Sequence, residues 1–187
     1  MEKYLDIIRY YDYTIYEALY QRGVESAAWL KFYYFFAQYG IVFFLVSFTY
    51  LIWMRRINAF LCSFTAMALG GFIDLLIFMF WRRPRPFITH ETIINPVVRE
   101  LAEGRISSFP SSHTYIVFAI ATSVFLYGHK KLGAFLLVLA IFVALGRVGT
   151  GLHYPSDTIA GAILGILSGV AAYRFVHTYE KYWKYEA

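Results

Sequence analysis

Phe35 to Met54 is a run of twenty residues without one Asp, Glu, Lys, Arg or His, and it stops at Arg55-Arg56. A helix rises 1.5 Å per residue, so about 20 apolar residues cross the hydrocarbon core of a bilayer. Similar runs follow. Ile57 to Phe80 is broken only by Asp74, and Ser112 to Tyr127 ends at Gly128-His129-Lys130-Lys131. Leu132 to Val148 carries Arg147 near its end, and Ser156 to Val176 contains Gly161, Gly165 and Gly169 at intervals of four. Small residues at that spacing lie on one helix face and let helices pack closely in lipid. Over all 187 residues, 59% are hydrophobic and 16% charged, against roughly a quarter charged in soluble proteins. A globule of this size has no interior large enough for so much apolar surface, so lipid is its solvent. Disorder, collagen-like repeats and a disulfide scaffold are excluded, and the one cysteine, Cys62, has no partner of its kind.

The expected fold is all-α. It is a polytopic membrane helical bundle of five or six transmembrane helices, with an additional N-terminal interfacial helix. In the segment 1–34, Leu5, Ile8, Tyr11, Ile15 and Leu19 recur near helical period between charges, the pattern of a helix lying at the membrane surface. Those charges leave no continuous apolar core for a signal peptide. The chain reads as one domain, 1–187, with a polar connection at 87–110 and no internal repeat.

The net charge of +5 does not point to nucleic acid, because the basic residues sit in short clusters between apolar runs. Arg55-Arg56, Lys130-Lys131 and Arg174-Lys181-Lys184 fall on one side of the membrane if the runs alternate direction. Basic short loops stay in the cytoplasm, so the opposite side is expected to face the outside of the cell.

On that outer side three polar clusters meet. Arg82-Arg83-Pro84-Arg85-Pro86 leaves the second run, Pro110-Ser111-Ser112-His113 enters the third, and Arg147 with His153-Tyr154-Pro155-Ser156-Asp157 joins the fourth to the fifth. Arginine offers a fixed fork of donors that matches phosphate oxygens, so Arg85 and Arg147 can clamp one phosphoryl group. Arg82 and Arg83 divide between headgroup anchors and additional phosphate ligands. Ser111 is a natural N-cap, and the free N–H groups behind it and Ser112 form an anion site at a helix N-terminus. Pro155 suits the first helical position, with Tyr154 as cap and Asp157 as the third helical residue. His153 then lies just outside the helix, near a carboxylate able to hold one ring nitrogen and leave the other as a nucleophile. A structural His–Asp pair is the plainer reading of those two residues, and a metal site from His113, His153 and Asp157 lacks the usual accompanying ligands.

These motifs resemble the membrane branch of the type 2 phosphatidic acid phosphatase superfamily, which shares its site with vanadium haloperoxidases. That family reads Lys, six residues, Arg-Pro; then Pro-Ser-Gly-His; then Ser-Arg, five residues, His, three residues, Asp. Arg85-Pro86, Pro110-Ser111-Ser112-His113, and Arg147, His153 and Asp157 match in order. Ser112 stands for glycine, Gly146 for serine, and Phe78 for the lysine. The Arg-Pro-Arg-Pro-Phe run is most similar to bacterial undecaprenyl diphosphate phosphatases.

The resemblance implies a metal-independent lipid phosphatase without cofactor. His153 attacks phosphorus to form a phosphohistidine, Asp157 steadies the imidazolium, and His113 protonates the leaving oxygen. Arg85, Arg147, Ser111 and Ser112 hold the phosphate. The implied substrate is a lipid phosphate or diphosphate monoester in the bilayer, in the first place undecaprenyl diphosphate. Phosphatidylglycerophosphate, phosphatidate and lipid A phosphate are alternatives, as is transfer to a second lipid; a non-enzymatic transporter is the remote one. The implied location is the bacterial inner membrane, multi-pass, with the site facing the outside. His90 reads as a loop residue, His129 and His177 belong to the other side, and Asp74 is an intramembrane carboxylate of suspected function.

Overall fold

The computed structural model describes residues 2–90 and 107–186, with side chains over 6–90 and 107–180. Most of the 87–110 connection, expected to cover the site, therefore lies outside the described residues. Those described form helices α1 (Glu2–Glu25), α2 (Ala27–Trp53), α3 (Ile57–Phe80), α4 (Pro86–Thr89), α5 (Ser112–Leu126), α6 (Lys130–Gly149) and α7 (Pro155–Glu186).

Four of these are long and apolar enough to cross a membrane: α2, α3, α6 and the Pro155–Glu180 part of α7. The third expected span, α5, has only 15 residues. At 1.5 Å per residue that is about 22 Å, less than a typical hydrocarbon core. It is the bundle's central helix, packed by α7, α6, α3 and α2, and ten of its residues between Thr114 and Val124 are buried. The second helix starts at Ala27, eight residues before the apolar run at Phe35, because Lys31 is carried on its exposed side without breaking the helix.

The outer helices bury narrow stripes. In α2 these are Tyr33, Ala37, Gly40, Phe44, Ser47 and Leu51, spaced four and three apart. In α3 they are Ala59, Cys62, Ser63, Ala66 and Gly70. Their other faces expose Phe43, Leu45, Val46, Phe64, Phe72 and Leu75, the inverse of a soluble bundle and the arrangement lipid favours. The glycines of α7 do what their spacing predicted. A Cβ on Gly161 would come within 2.7 Å of Ser111 O and one on Gly165 within 2.4 Å of Tyr115 O, so α5 and α7 touch backbone to backbone.

Helix α1 packs on the bundle by a face other than its Ile8, Tyr11 and Ile15 stripe. Ile8, Tyr11 and Ile15 are exposed, while Asp12, Tyr16, Tyr20 and Gly23 are buried. The reason is a polar bond network at Asp12, described below, which rotates the aromatic residues Tyr16 and Tyr20 against Val148 and Tyr154.

The bundle has two chemically different ends. At one, Arg55, Arg56, Asn58, Tyr127, His129 and Glu180 line a cavity of about 280 Å³. At the other, α3 and α6 end and α5 and α7 begin. The five-residue link from Thr150 to Tyr154 turns there through Gly151 at φ +78°, a backbone region that favours glycine.

Candidate active site

His153 sits on that link and is 2% exposed. Its Nδ1 lies 2.7 Å from the carbonyl oxygen of Ser108. A carbonyl only accepts, so Nδ1 carries the proton and Nε2 is the unprotonated, accepting nitrogen. Nε2 faces two guanidinium groups, Arg147 Nη2 at 3.2 Å and Arg85 Nη1 at 3.3 Å. Arg85 also donates to the Leu152 carbonyl at 2.8 Å, and Arg147 to the Ala37 carbonyl at 3.4 Å. Both arginines are nearly buried, at 5% and 6% exposure. Arg85 reaches this position because it precedes Pro86, which opens the short α4 and leaves Arg85 extended as its N-cap. Arg147 is placed by close packing of α6 on α2, where Gly146 lies against Tyr33 O and Ala37 N.

Burial drives the His153 pKa down to about 4, and the charges of Arg147 and Arg85 push the same way against the pull of Asp157. The ring is therefore a neutral base at physiological pH, with its lone pair aimed between two cations. An anion with several oxygens complements that arrangement.

Asp157 is fully buried as the third residue of α7. Its Oδ2 accepts the Tyr154 N–H at 2.8 Å, as a helix-start carboxylate reaching back to the cap residue does. The same oxygen accepts the Ser108 hydroxyl. It stands 3.8 Å from His153 Nδ1, too far for a direct hydrogen bond. Ser108, a residue that the sequence reading passed over, touches both: its hydroxyl bonds the carboxylate and its carbonyl oxygen the imidazole. Ser108 lies in no motif, and only its position in the fold marks it.

Ser111 is the N-cap of α5, but its hydroxyl makes no capping bond. Instead it accepts from the Thr114 hydroxyl at 3.0 Å, while its N–H donates to the Asp157 carbonyl at 3.1 Å. The start of α5 is thus pinned to the start of α7 with its first-turn N–H groups not taken up by the cap. His113 is in that first turn and is half-buried. Ser112 donates to Asp74 at 2.9 Å, which gives the intramembrane carboxylate a partner on the neighbouring helix. The two line a cavity of about 300 Å³ with Gly71, Leu75, Phe78, Ser107, Phe109 and Pro110.

Arg82 and Arg83 separate. Arg82 is exposed and lies over the Phe78 ring at 5.2 Å. Arg83 turns to the carboxylates, with Nη1 2.8 Å from Asp157 Oδ1 and Nη2 2.6 Å from Asp12 Oδ2. Neither is aimed with Arg85 and Arg147 at the imidazole.

The sequence model of the PAP2 superfamily matches residues 59–181, which include every residue of this cluster except Asp12. The chain belongs to the PAP2 superfamily. Among PAP2-related relatives, the bacitracin transport permease protein BcrC of Bacillus licheniformis is 49% identical over 76 residues, 40% of this chain and 37% of that protein. The undecaprenyl-diphosphatase BcrC of Bacillus subtilis is 30% identical over 106 residues, 57% of this chain and 52% of that one. The chain thus matches about half or less of these curated relatives' length. A crystal structure of Aquifex aeolicus LpxE superimposes with a TM-score of 0.67 over 86% of this chain and 93% of that one, at 23% identity. That likeness establishes a shared fold.

Proposed function

We propose that the protein is an integral membrane lipid phosphatase working through a phosphohistidine. The observation that carries this reading is the Nε2 lone pair of His153, unprotonated because Ser108 holds Nδ1, flanked at 3.2 and 3.3 Å by Arg147 and Arg85. In the first half-reaction Nε2 attacks the terminal phosphorus, the N–P bond forms, and the bond from that phosphorus to the bridging oxygen breaks, so that oxygen leaves with the lipid phosphate. His113 gives that oxygen its proton. In the second, His113 takes a proton from water, the water oxygen attacks phosphorus, and the N–P bond breaks to release inorganic phosphate. Arg85, Arg147, Ser111 and the N–H groups at Ser112 stabilise charge on the equatorial oxygens. The positive charge that a metal ion supplies elsewhere comes here from guanidinium groups and a helix N-terminus, so chelators are expected to leave turnover intact.

The proposed substrate is undecaprenyl diphosphate, converted to undecaprenyl phosphate, as the name of the Bacillus subtilis relative and the Arg83-Pro84-Arg85-Pro86-Phe87 run both suggest. The site is proposed to face the outside of a bacterial inner membrane, since Arg55, Arg56 and Lys130 lie at the other end of the bundle. The exposed Ile8, Tyr11 and Ile15 face of α1 is proposed to rest on the membrane interface.

The test is phosphate release by purified protein in detergent from undecaprenyl diphosphate, phosphatidate and phosphatidylglycerophosphate. Preference for the prenyl diphosphate, loss of turnover in His153→Ala and persistence in EDTA are expected. Full activity of His153→Ala overturns the mechanism, and preference for a glycerolipid overturns the substrate.

A further inference from the structure

Asp12 is only 5% exposed, although it belongs to a helix far from every motif in sequence. A carboxylate so buried is costly unless its charge is matched and its oxygens are bonded. Here both conditions are met at the start of α7. Oδ1 accepts the Ser156 N–H at 2.8 Å, and Oδ2 accepts the Ser156 hydroxyl at 2.7 Å and Arg83 Nη2 at 2.6 Å. The positive end of the helix dipole adds to the match. Arg83 continues the chain of contacts, donating from Nη1 to Ser156 Oγ at 2.7 Å and to Asp157 Oδ1 at 2.8 Å, with its guanidinium carbon 4.0 Å from the centre of the Tyr154 ring.

The consequence lies at Asp157. Its Oδ2 is bonded by Ser108 and the Tyr154 N–H, and its Oδ1 by Arg83. Arg83 therefore fixes the Oδ1 side of the carboxylate, and Asp12 is its charged partner on the other nitrogen. We propose that Asp12 is a positioning residue of the site: through Arg83 it orients Asp157, and so makes α1 a part of the machinery that prepares His153. This inference rests on the phosphatase reading above. With Asp12 in place, one guanidinium is shared between two carboxylates, and Asp157 keeps enough negative charge to steady the imidazolium formed when His153 is phosphorylated. Without it, Arg83 loses its only partner on Nη2 among those described, and Asp157 is left with a guanidinium held from one side, by Ser156 and the Tyr154 ring.

The experiment is a double-mutant cycle on the purified full chain, with Asp12→Asn, Arg83→Gln and the double variant, and with Asp12→Glu as a charge-retaining control. Steady-state phosphate release and affinity for orthovanadate, an analogue of the transferring phosphoryl group, are both measured, with thermal unfolding alongside. Asp12→Asn is expected to lower kcat about tenfold with KM within about twofold, since misplacing a catalytic group acts on the chemical step. The double variant is expected to match Arg83→Gln within about twofold in both readouts, because the two residues act along one path. Asp12→Glu should retain more kcat than Asp12→Asn. If Asp12→Asn is not recovered folded, the same cycle is run with the smaller neutral variant Asp12→Ser and judged by the same criterion.

A structural latch alone would lower the melting temperature while kcat of the folded protein stayed near wild type, or its effects would multiply with those of Arg83→Gln; either result overturns the proposal. A wild-type protein that binds vanadate but releases no phosphate from any lipid overturns the phosphatase reading, and the Asp12 coupling is then judged on vanadate affinity. A wild-type protein that does neither overturns both.

Discussion

Ser108 and Asp157 share a hydrogen bond from hydroxyl to carboxylate, and the same serine receives the Nδ1 proton of His153 on its carbonyl at 2.7 Å. The serine thus joins the base to the carboxylate, which stands 3.8 Å from the ring. Ser108→Ala keeps the carbonyl and removes the hydroxyl. The His153 tautomer should survive, but the coupling to Asp157 should not. Steady-state kinetics are expected to give a kcat lower by about tenfold with KM little changed, because charge develops on the imidazole only in the transition state. An unchanged kcat would show the hydroxyl to be structural.

Arg85 and Arg147 both direct a guanidinium nitrogen at His153 Nε2. Lysine keeps the charge but not the planar fork. Replacing either by lysine should cost about a hundredfold in kcat/KM, the scale seen when one preorganised oxyanion donor is lost. Vanadate affinity should fall in parallel. A loss of ten times less in both variants would mean that charge alone is enough.

The pH dependence follows from the burial of His153, reinforced by Arg147 and Arg85, which together hold its pKa at about 4. A depressed pKa means that the neutral nucleophile persists as pH falls through the usual histidine value near 6.5 and is lost only on protonation near 4. Phosphoenzyme formed in a single turnover should therefore be insensitive to His153 ionisation above about pH 5. Arg85→Gln removes one repelling cation and should move the acid limb upward. An acid limb near 6.5 in the wild-type protein would contradict the burial argument.

Gly165 tests the packing that brings the starts of α5 and α7 together. A methyl group there meets Tyr115 O at 2.4 Å and Phe118 Cβ at 2.8 Å. Backbone cannot swing aside as a side chain can, so Gly165→Ala should destabilise the protein by about 2 kcal/mol. Thermal unfolding in detergent checks it, with Ile166→Ala on the same helix as the milder comparison.

The membrane-helical character was legible in the sequence because it rests on composition and run length, which lipid imposes locally. Phe35 to Met54 runs to the C-cap of α2, and Ile57 to Phe80 coincides with α3. The close-packing face of α7 was legible too, since a four-residue glycine spacing marks one face of any helix, though not that α5 would fill it. Run length alone decides less for α5, an apolar helix of 15 residues that is shorter than the four spanning-length helices and mostly buried at the bundle's centre.

At the candidate site, the residue types and spacings at Arg85, Arg147, His153 and Asp157 already described an anion-binding cluster, because guanidinium, imidazole and carboxylate carry their chemistry with them. Which of them touch was a different question. Asp12 and Ser156 are 144 residues apart, Ser108 and Asp157 are 49, and Arg83 could have faced either a phosphate or a carboxylate. Hydrogen bonds reach about 3 Å and depend on direction, so one helix rotation or one turn of a link decides which pairs form. Those rotations come from packing across the whole bundle, and only the folded chain contains that information.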